Sequence, residues 1–262
     1  EEIATFPVNT ISILDRISSN NTSFNDFQRD IRGFLALDFL LFGIAEDNNS
    51  IVSYFSENEN ALNYLKAVTN HSVQSVEVVS NTWNGSYKET FINNNGTSVG
   101  SSTSLLYNEF IKSFETIKNY KIGLPIGNAP GVIVPVNPTL VEAYYSGIST
   151  QLIKEHLNSI EQLWRGTSKN GNSGIGFKAY LESVVGGKEL VTSTEEQLAK
   201  VNLEINKLVD SKKLSDVIED DGADLVVLKS VYLELSKQTR FFKSDMSSLL
   251  GIAITYSSSD GD

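Results

Sequence analysis

The 262-residue chain has no cysteine, which removes disulfides and thiolate metal sites from consideration. It has only two histidines, His71 and His156, and neither sits in a His-Glu-x-x-His or other zinc spacing. Zinc hydrolysis and serine–histidine catalysis therefore have few residues to draw on. His156 follows Ile148 and Leu152 at steps of four, which places it at the core edge of a helix as a hydrogen-bonded histidine. No apolar run reaches the roughly 18 residues of a membrane span. Basic residues are outnumbered, 21 Lys and Arg against 32 Asp and Glu, for a formal charge of −11. With no Lys/Arg cluster to neutralise phosphates, a nucleic-acid partner is disfavoured and a cation or metal is the more natural ligand, though an acidic balance is first of all a solubility device. The chain opens on Glu1-Glu2 rather than Met, as a processed or trimmed product would.

Strand alternation is also scarce, and what remains is helical spacing. Phe24, Phe27 and Ile31 recur at steps of three and four and predict a helix capped by Ser23 or Asn25. Ala61, Leu62, Leu65 and Val68 mark a second helix, and Leu105, Phe110, Ile111, Phe114 and Ile117 a stronger one. Four of the five prolines (Pro125, Pro130, Pro135, Pro138) fall between Tyr120 and Pro138 together with Gly123, Gly127 and Gly131. Proline withholds donors and glycine admits positive φ, so this stretch predicts a seam between two halves, residues 1–128 and 129–262. Its Gly123–Gly131 loop lacks the Lys-Ser/Thr ending of a phosphate-binding loop and reads as a rigid connector. Asn137-Pro138 predicts the start of a long helix ending at Arg165 and closed by Gly166. Thr192-Ser193-Thr194-Glu195 reads as a capping box, with Leu198, Val201, Ile205 and Leu208 following. Leu225, Leu228, Val231, Leu235 and Phe242 give the last long helix, and Ile252–Tyr256 a short strand. Asp260 and Asp262 supply too few oxygens for calcium. The predicted class is all-α, two consecutive helical-bundle halves with minor β at most.

One run stands apart. From Arg32-Gly33 through Phe34-Leu35-Ala36-Leu37-Asp38-Phe39-Leu40-Leu41-Phe42 to Gly43, the helix is apolar on every side except for Asp38. Such a helix belongs inside a protein, and a carboxylate placed in it needs a partner. Arg32 lies six residues away, about 240° around the helix and on another face, so the partner should come from a different segment. The run resembles the signature of the imelysin family, insulin-cleaving membrane protease and its iron-regulated relatives, in which Gly-x-His-x-x-Glu opens a helix continuing as Phe/Tyr-Leu-Leu-Phe/Trp-Gly. Aligned on Gly33, the family's His falls on Leu35 and its Glu on Asp38. Phe6-Pro7-Val8 is similar to the segment preceding that motif in the Bacteroidetes-type branch. Gly123-Leu124-Pro125-Ile126-Gly127 is similar to the family's Gly-x-Pro-x-Gly loop, Glu142–Ser149 to the helix after it, and Gly251–Tyr256 with Asp260-Gly261-Asp262 to the branch's C-terminus. Family members carry further helices ahead of the first of these segments, so the resemblance implies a first half lacking its upstream helices.

A His-x-x-Glu pair on one helix face presents an imidazole nitrogen and a carboxylate oxygen to one cation. Leu35 has no lone pair, and Asp38 is one methylene shorter than Glu, so the pattern here is degenerate. Asp38 reads first as a structural buried acid tied to an Arg, a Tyr hydroxyl or helix-end N–H groups, next as part of a retained polar ligand pocket, and last as the only metal candidate. The resemblance implies a non-enzymatic extracytoplasmic protein, periplasmic or attached to the outer membrane as a lipoprotein. The implied role is in iron or haem acquisition, with binding where the two helical halves meet. Iron or another divalent metal is the implied cofactor, and metal, haem or a cell-envelope protein the implied partner. The candidate ligand-binding residues on this reading are Arg32, Asp38, Tyr144, Tyr145, Ser146 and Arg240. Two alternatives stand beside it. One is a metallopeptidase of the imelysin type, against which the lost histidine counts, and the other is a cell-envelope interaction scaffold with no small ligand.

Overall fold

The computed structural model describes residues 2–25, 27–129 and 131–256, so Asp260-Gly261-Asp262 lie outside the described residues. The fold is all-α. In chain order the helices are α1 (Thr10–Ser18), α2 (Phe34–Phe42), α3 (Asn48–Glu57), α4 (Glu59–Thr82), α5 (Lys88–Asn93), α6 (Ser102–Thr116), α7 (Ser149–Arg165), α8 (Phe177–Glu182), α9 (Gly187–Ile205), α10 (Leu214–Glu219), α11 (Ala223–Arg240) and α12 (Met246–Leu250). The strands among the described residues form one hairpin, β1 (Asn128–Ala129) against β2 (Val132–Ile133), inside the Pro/Gly stretch.

The chain folds as two compact units. One comprises Glu1–Thr90 and Glu142–Gly147, and the other Phe91–Val141 and Ile148–Asp262. The Pro/Gly stretch from 120 to 138 therefore lies within the second unit, and the chain returns to the first for one short segment. The first unit is built on α1, α2 and α4, whose Ile13, Ile17, Ala36, Leu40, Ala61, Tyr64 and Val68 form its core with Ile31. In the second unit Phe110, Phe114, Trp164 and Phe242 pack edge-on or tilted at centroid separations of 4.9–5.4 Å, and the Tyr107 hydroxyl donates to the Phe242 carbonyl at 2.5 Å.

Four sequence expectations are corrected. The stretch around Phe24, Phe27 and Ile31 is irregular, and Phe27 is 92% exposed. Guanidinium groups take carbonyls that a helix would have used, Arg16 reaching the Ser23 oxygen at 2.5 Å and Arg32 the Phe24 oxygen at 3.0 Å. The helix expected from Pro138 to Arg165 is a single 3₁₀ turn (Pro138–Leu140) followed, after a break, by α7. In that break Ala143 and Gly147 have positive φ. Thr192–Glu195 does not start a helix, because α9 begins at Gly187. Thr192 and Thr194 bond back to the carbonyls of Lys188 and Leu190, while Glu195 accepts from the Trp164 indole at 2.8 Å. Finally, Ile252–Tyr256 forms no strand, and a side chain holds it where a pairing strand would. The Asn108 amide donates to the Ala253 carbonyl at 3.1 Å and accepts from the Thr255 N–H at 2.7 Å.

Candidate functional site

The motif helix α2 is bracketed by two glycines, each with a steric reason. Gly33 has φ +81°, and a Cβ there would lie 2.5 Å from the Ile3 carbonyl carbon and oxygen. Without one, the N-terminal segment crosses the helix start closely enough for Phe34 N–H to donate to the Ile3 carbonyl at 2.7 Å. At the other end a Cβ on Gly43 would meet the Tyr145 ring at 2.0 Å. The first glycine admits a backbone and the second an aromatic ring.

Tyr145 belongs to the short segment Glu142–Gly147, and Asp38 holds it there. The Asp38 Oδ2 accepts from the Tyr145 N–H at 3.0 Å and its Oδ1 from the Ser146 N–H at 3.2 Å. Those are two successive backbone donors that the 143–147 turn, closed by Gly147 N–H on the Ala143 carbonyl at 2.9 Å, leaves pointing at one carboxylate. Phe39, one position on from Asp38, meets the Tyr145 ring at 5.2 Å, and Tyr144 stands edge-on to Tyr145 at the same separation. Burial, followed by the neighbouring Tyr144 and the Asp38 charge, raises the Tyr145 pKa above its ordinary value, so the phenol stays neutral.

Three of the sequence-nominated residues, Asp38, Tyr145 and Ser146, are thus brought together, with Tyr144 alongside. The contact of Tyr145 and Ser146 with the acid is through their backbone rather than their side chains. Arg32 sits elsewhere in the same unit, buried, with its Nη2 on Glu2 Oε2 at 2.6 Å while Arg29 Nε holds Glu2 Oε1 at 2.5 Å. Burial opposes ionisation of Glu2, but hydrogen bonds from the two arginines outweigh it and hold its pKa below the usual carboxylate value. Arg240 lies in the second unit at the end of α11, exposed and paired with Asp245 at 3.3 Å.

The apolar motif run is not sealed. Leu35, Ala36, Phe39 and Leu40 are buried, whereas Phe34, Leu41 and Phe42 are each exposed by 42–56%. Both histidines have identifiable neighbours. His71 stands edge-on to Phe24 at 5.2 Å, and burial, with the Arg32 charge adding to it, lowers its pKa. His156 Nε2 is 2.8 Å from the Ser113 hydroxyl, and burial, reinforced by Lys121, lowers its pKa to about 4. The Glu2–Arg29–Arg32 cluster was not legible from the sequence, since its members are 27 and 30 residues apart and follow no local pattern.

A metal centre does not fit these residues. Leu35 is buried with no lone pair to offer, Asp38 is a single carboxylate whose oxygens each accept one backbone N–H, and among the described residues no group of three or more His, Asp or Glu stands where it could hold an ion.

The sequence model of the imelysin family matches residues 1–240, and the chain belongs to that family. No curated protein and no solved structure matches it. Among the described residues no helix is long and apolar enough to cross a membrane.

Proposed function

We propose that this chain is a non-enzymatic, extracytoplasmic imelysin-family protein that serves iron or haem acquisition at the cell envelope. On this reading the motif helix has become a structural clamp. The observation that carries it is the engagement of Asp38 with the backbone, each of its two oxygens accepting one N–H, from Tyr145 and Ser146. A hydrolytic zinc site requires about three protein ligands and an open position for water, and the motif here supplies one carboxylate, which already accepts two backbone N–H groups. The acquisition role itself rests on family membership, and the acidic composition, net −11, suits contact with cationic partners better than with phosphates or anionic surfaces.

The test pairs a protease assay with ligand titrations. Purified protein should leave insulin B chain and casein intact at neutral pH, with or without added zinc. Calorimetry with ferrous, ferric, zinc and calcium ions should show no site that Asp38→Ala removes. Haem titrated into the same protein, followed by its absorption spectrum, should bind irrespective of the Asp38 substitution. Chelator-sensitive proteolysis abolished by Asp38→Ala would establish the metallopeptidase reading instead. Failure of haem and all four ions to bind would leave the scaffold reading.

A further inference from the structure

Among the described residues, the second half of α4 leaves an apolar face exposed. Up to Val68 the helix is held by the first unit's core, with Ala61, Tyr64 and Val68 fully buried. From Val73 onward it is exposed: Val73, Val76, Val78 and Val79 show 51–69% of their surface, and Trp83 and Tyr87 in the following turn 40% and 46%. Val73, Val76, Val79 and Trp83 recur at steps of three and four and form one stripe. β-branched residues are weak helix formers, and a helix of this kind in water draws most of its stability from a packed apolar face.

Two hollows flank the stripe and share Val76. One, of about 690 Å³, is lined by Glu2, Ile3, His71, Val76, Val78 and Val79 among others. The other, of about 320 Å³, lies between α4 and the start of α2 and is lined by Phe34, Leu37, Val73, Val76 and Glu77 among others. The Phe34 ring left exposed by the motif helix is part of this second wall. A groove of two apolar troughs along a helix is the shape into which an amphipathic helix lays its apolar face.

Charge selects the occupant. The first unit's segments, residues 1–90 and 142–147, contain thirteen acidic and five basic residues, net −8 of the chain's −11. Of the two carboxylates lining the hollows, Glu2 is compensated by Arg29 and Arg32, so Glu77 is the one that bears directly on a partner's charge. A second copy would bring the same −8 surface and another Glu77 against this one. Anionic lipid and nucleic acid meet the same repulsion.

We propose that the groove formed by α2 and the distal half of α4 docks an amphipathic helix of another polypeptide, one whose apolar stripe is flanked by Lys or Arg. The Val76–Val79–Phe34 surface supplies the apolar contact. Glu77 and the acidic surround select the partner's basic flanks.

The experiment uses the 262-residue chain and a labelled synthetic helix of about 18 residues, five turns, with leucine on one face and lysine beside it, read by fluorescence anisotropy at about 0.15 M salt. A peptide with glutamate in place of lysine is the charge control. The Leu/Lys helix should bind, and the Leu/Glu helix should bind about tenfold or more weakly. Val76→Asn with Val79→Asn, uncharged changes at exposed positions whose folding is checked by circular dichroism, should weaken binding about tenfold or more. Glu77→Gln should weaken it less and reduce its salt dependence. Equal binding to the asparagine variant would show general charge attraction and overturn the proposal. So would equal binding of the two peptides, no binding at all, a parent dimer that the asparagine variant dissociates, or binding to neutral phosphatidylcholine vesicles lost in that variant.

Discussion

Removing the Asp38 carboxylate should release the 142–147 segment from the first unit. In Asp38→Ala two charge-assisted hydrogen bonds, at 3.0 and 3.2 Å, disappear and the Tyr145 and Ser146 N–H groups lose their acceptors. Hydrogen bonds to a charged group contribute roughly 1.5–3 kcal/mol each. The carboxylate is only half-buried, so water replaces part of that, and a loss of about 2–4 kcal/mol is expected. Asp38→Asn keeps one acceptor but turns an NH₂ toward the other backbone donor, so its loss should fall slightly below that of alanine. Native-state hydrogen exchange is the assay, because the Tyr145 and Ser146 amides report the clamp directly and need no assumption that two units unfold together. Both amides should exchange slowly in the parent and about 30-fold or more faster in Asp38→Ala, while amides in α11 stay unchanged. Unaltered protection of Tyr145 and Ser146 in Asp38→Ala would refute the clamp.

Gly43→Ala places a methyl 2.0 Å from the Tyr145 ring and should cost about 1–3 kcal/mol by overpacking, with part of the loss recovered when Tyr145→Leu is added; thermal denaturation of the three variants checks this. Leu35→Ala should cost about 2–5 kcal/mol in urea denaturation if this buried position is packed core, and a loss near zero would mean that it faces open space. His156 titrates near 4 in the folded protein and near 6.5 when unfolded. The unfolded chain therefore takes up the proton first as pH falls, and the stability His156 supplies is complete above about pH 6.5 and lost toward pH 4, by at most about 3 kcal/mol. Urea midpoints across that range should fall less steeply in His156→Gln, and parallel pH profiles would contradict the reading.

The helical class was legible because the apolar spacing of the long elements is carried by residues that are in fact buried, such as Ala61 and Val68 in α4 or Leu225, Leu228, Val231 and Leu235 in α11. Most of the misread boundaries share one cause. In three of the four, a distant polar group takes over a backbone donor or acceptor that local rules assign to a helix or strand, while the Thr192–Glu195 box is absorbed into a helix already begun at Gly187. Arg32 does so at Phe24, Asp38 at Tyr145 and Ser146, and Asn108 at Ala253 and Thr255. Nothing within a few residues of the receiving position announces such a contact.

The same limit shaped what could be read of the site. That Asp38 needs a partner follows from the apolar residues around it, and the segment supplying one was among those nominated. What composition and spacing do not reveal is that the donors are main-chain N–H groups, since every residue but proline carries one. An arginine, a tyrosine hydroxyl and main-chain N–H groups are therefore equally open to such a carboxylate, and the fold selects the turn. The glycines carry the missing information. Gly33 and Gly43 bracket α2 at the two places where another part of the chain comes within 3 Å of where a Cβ would stand, the Ile3 backbone at one end and the Tyr145 ring at the other. Together with Asp38 they describe a helix shaped to receive two foreign segments.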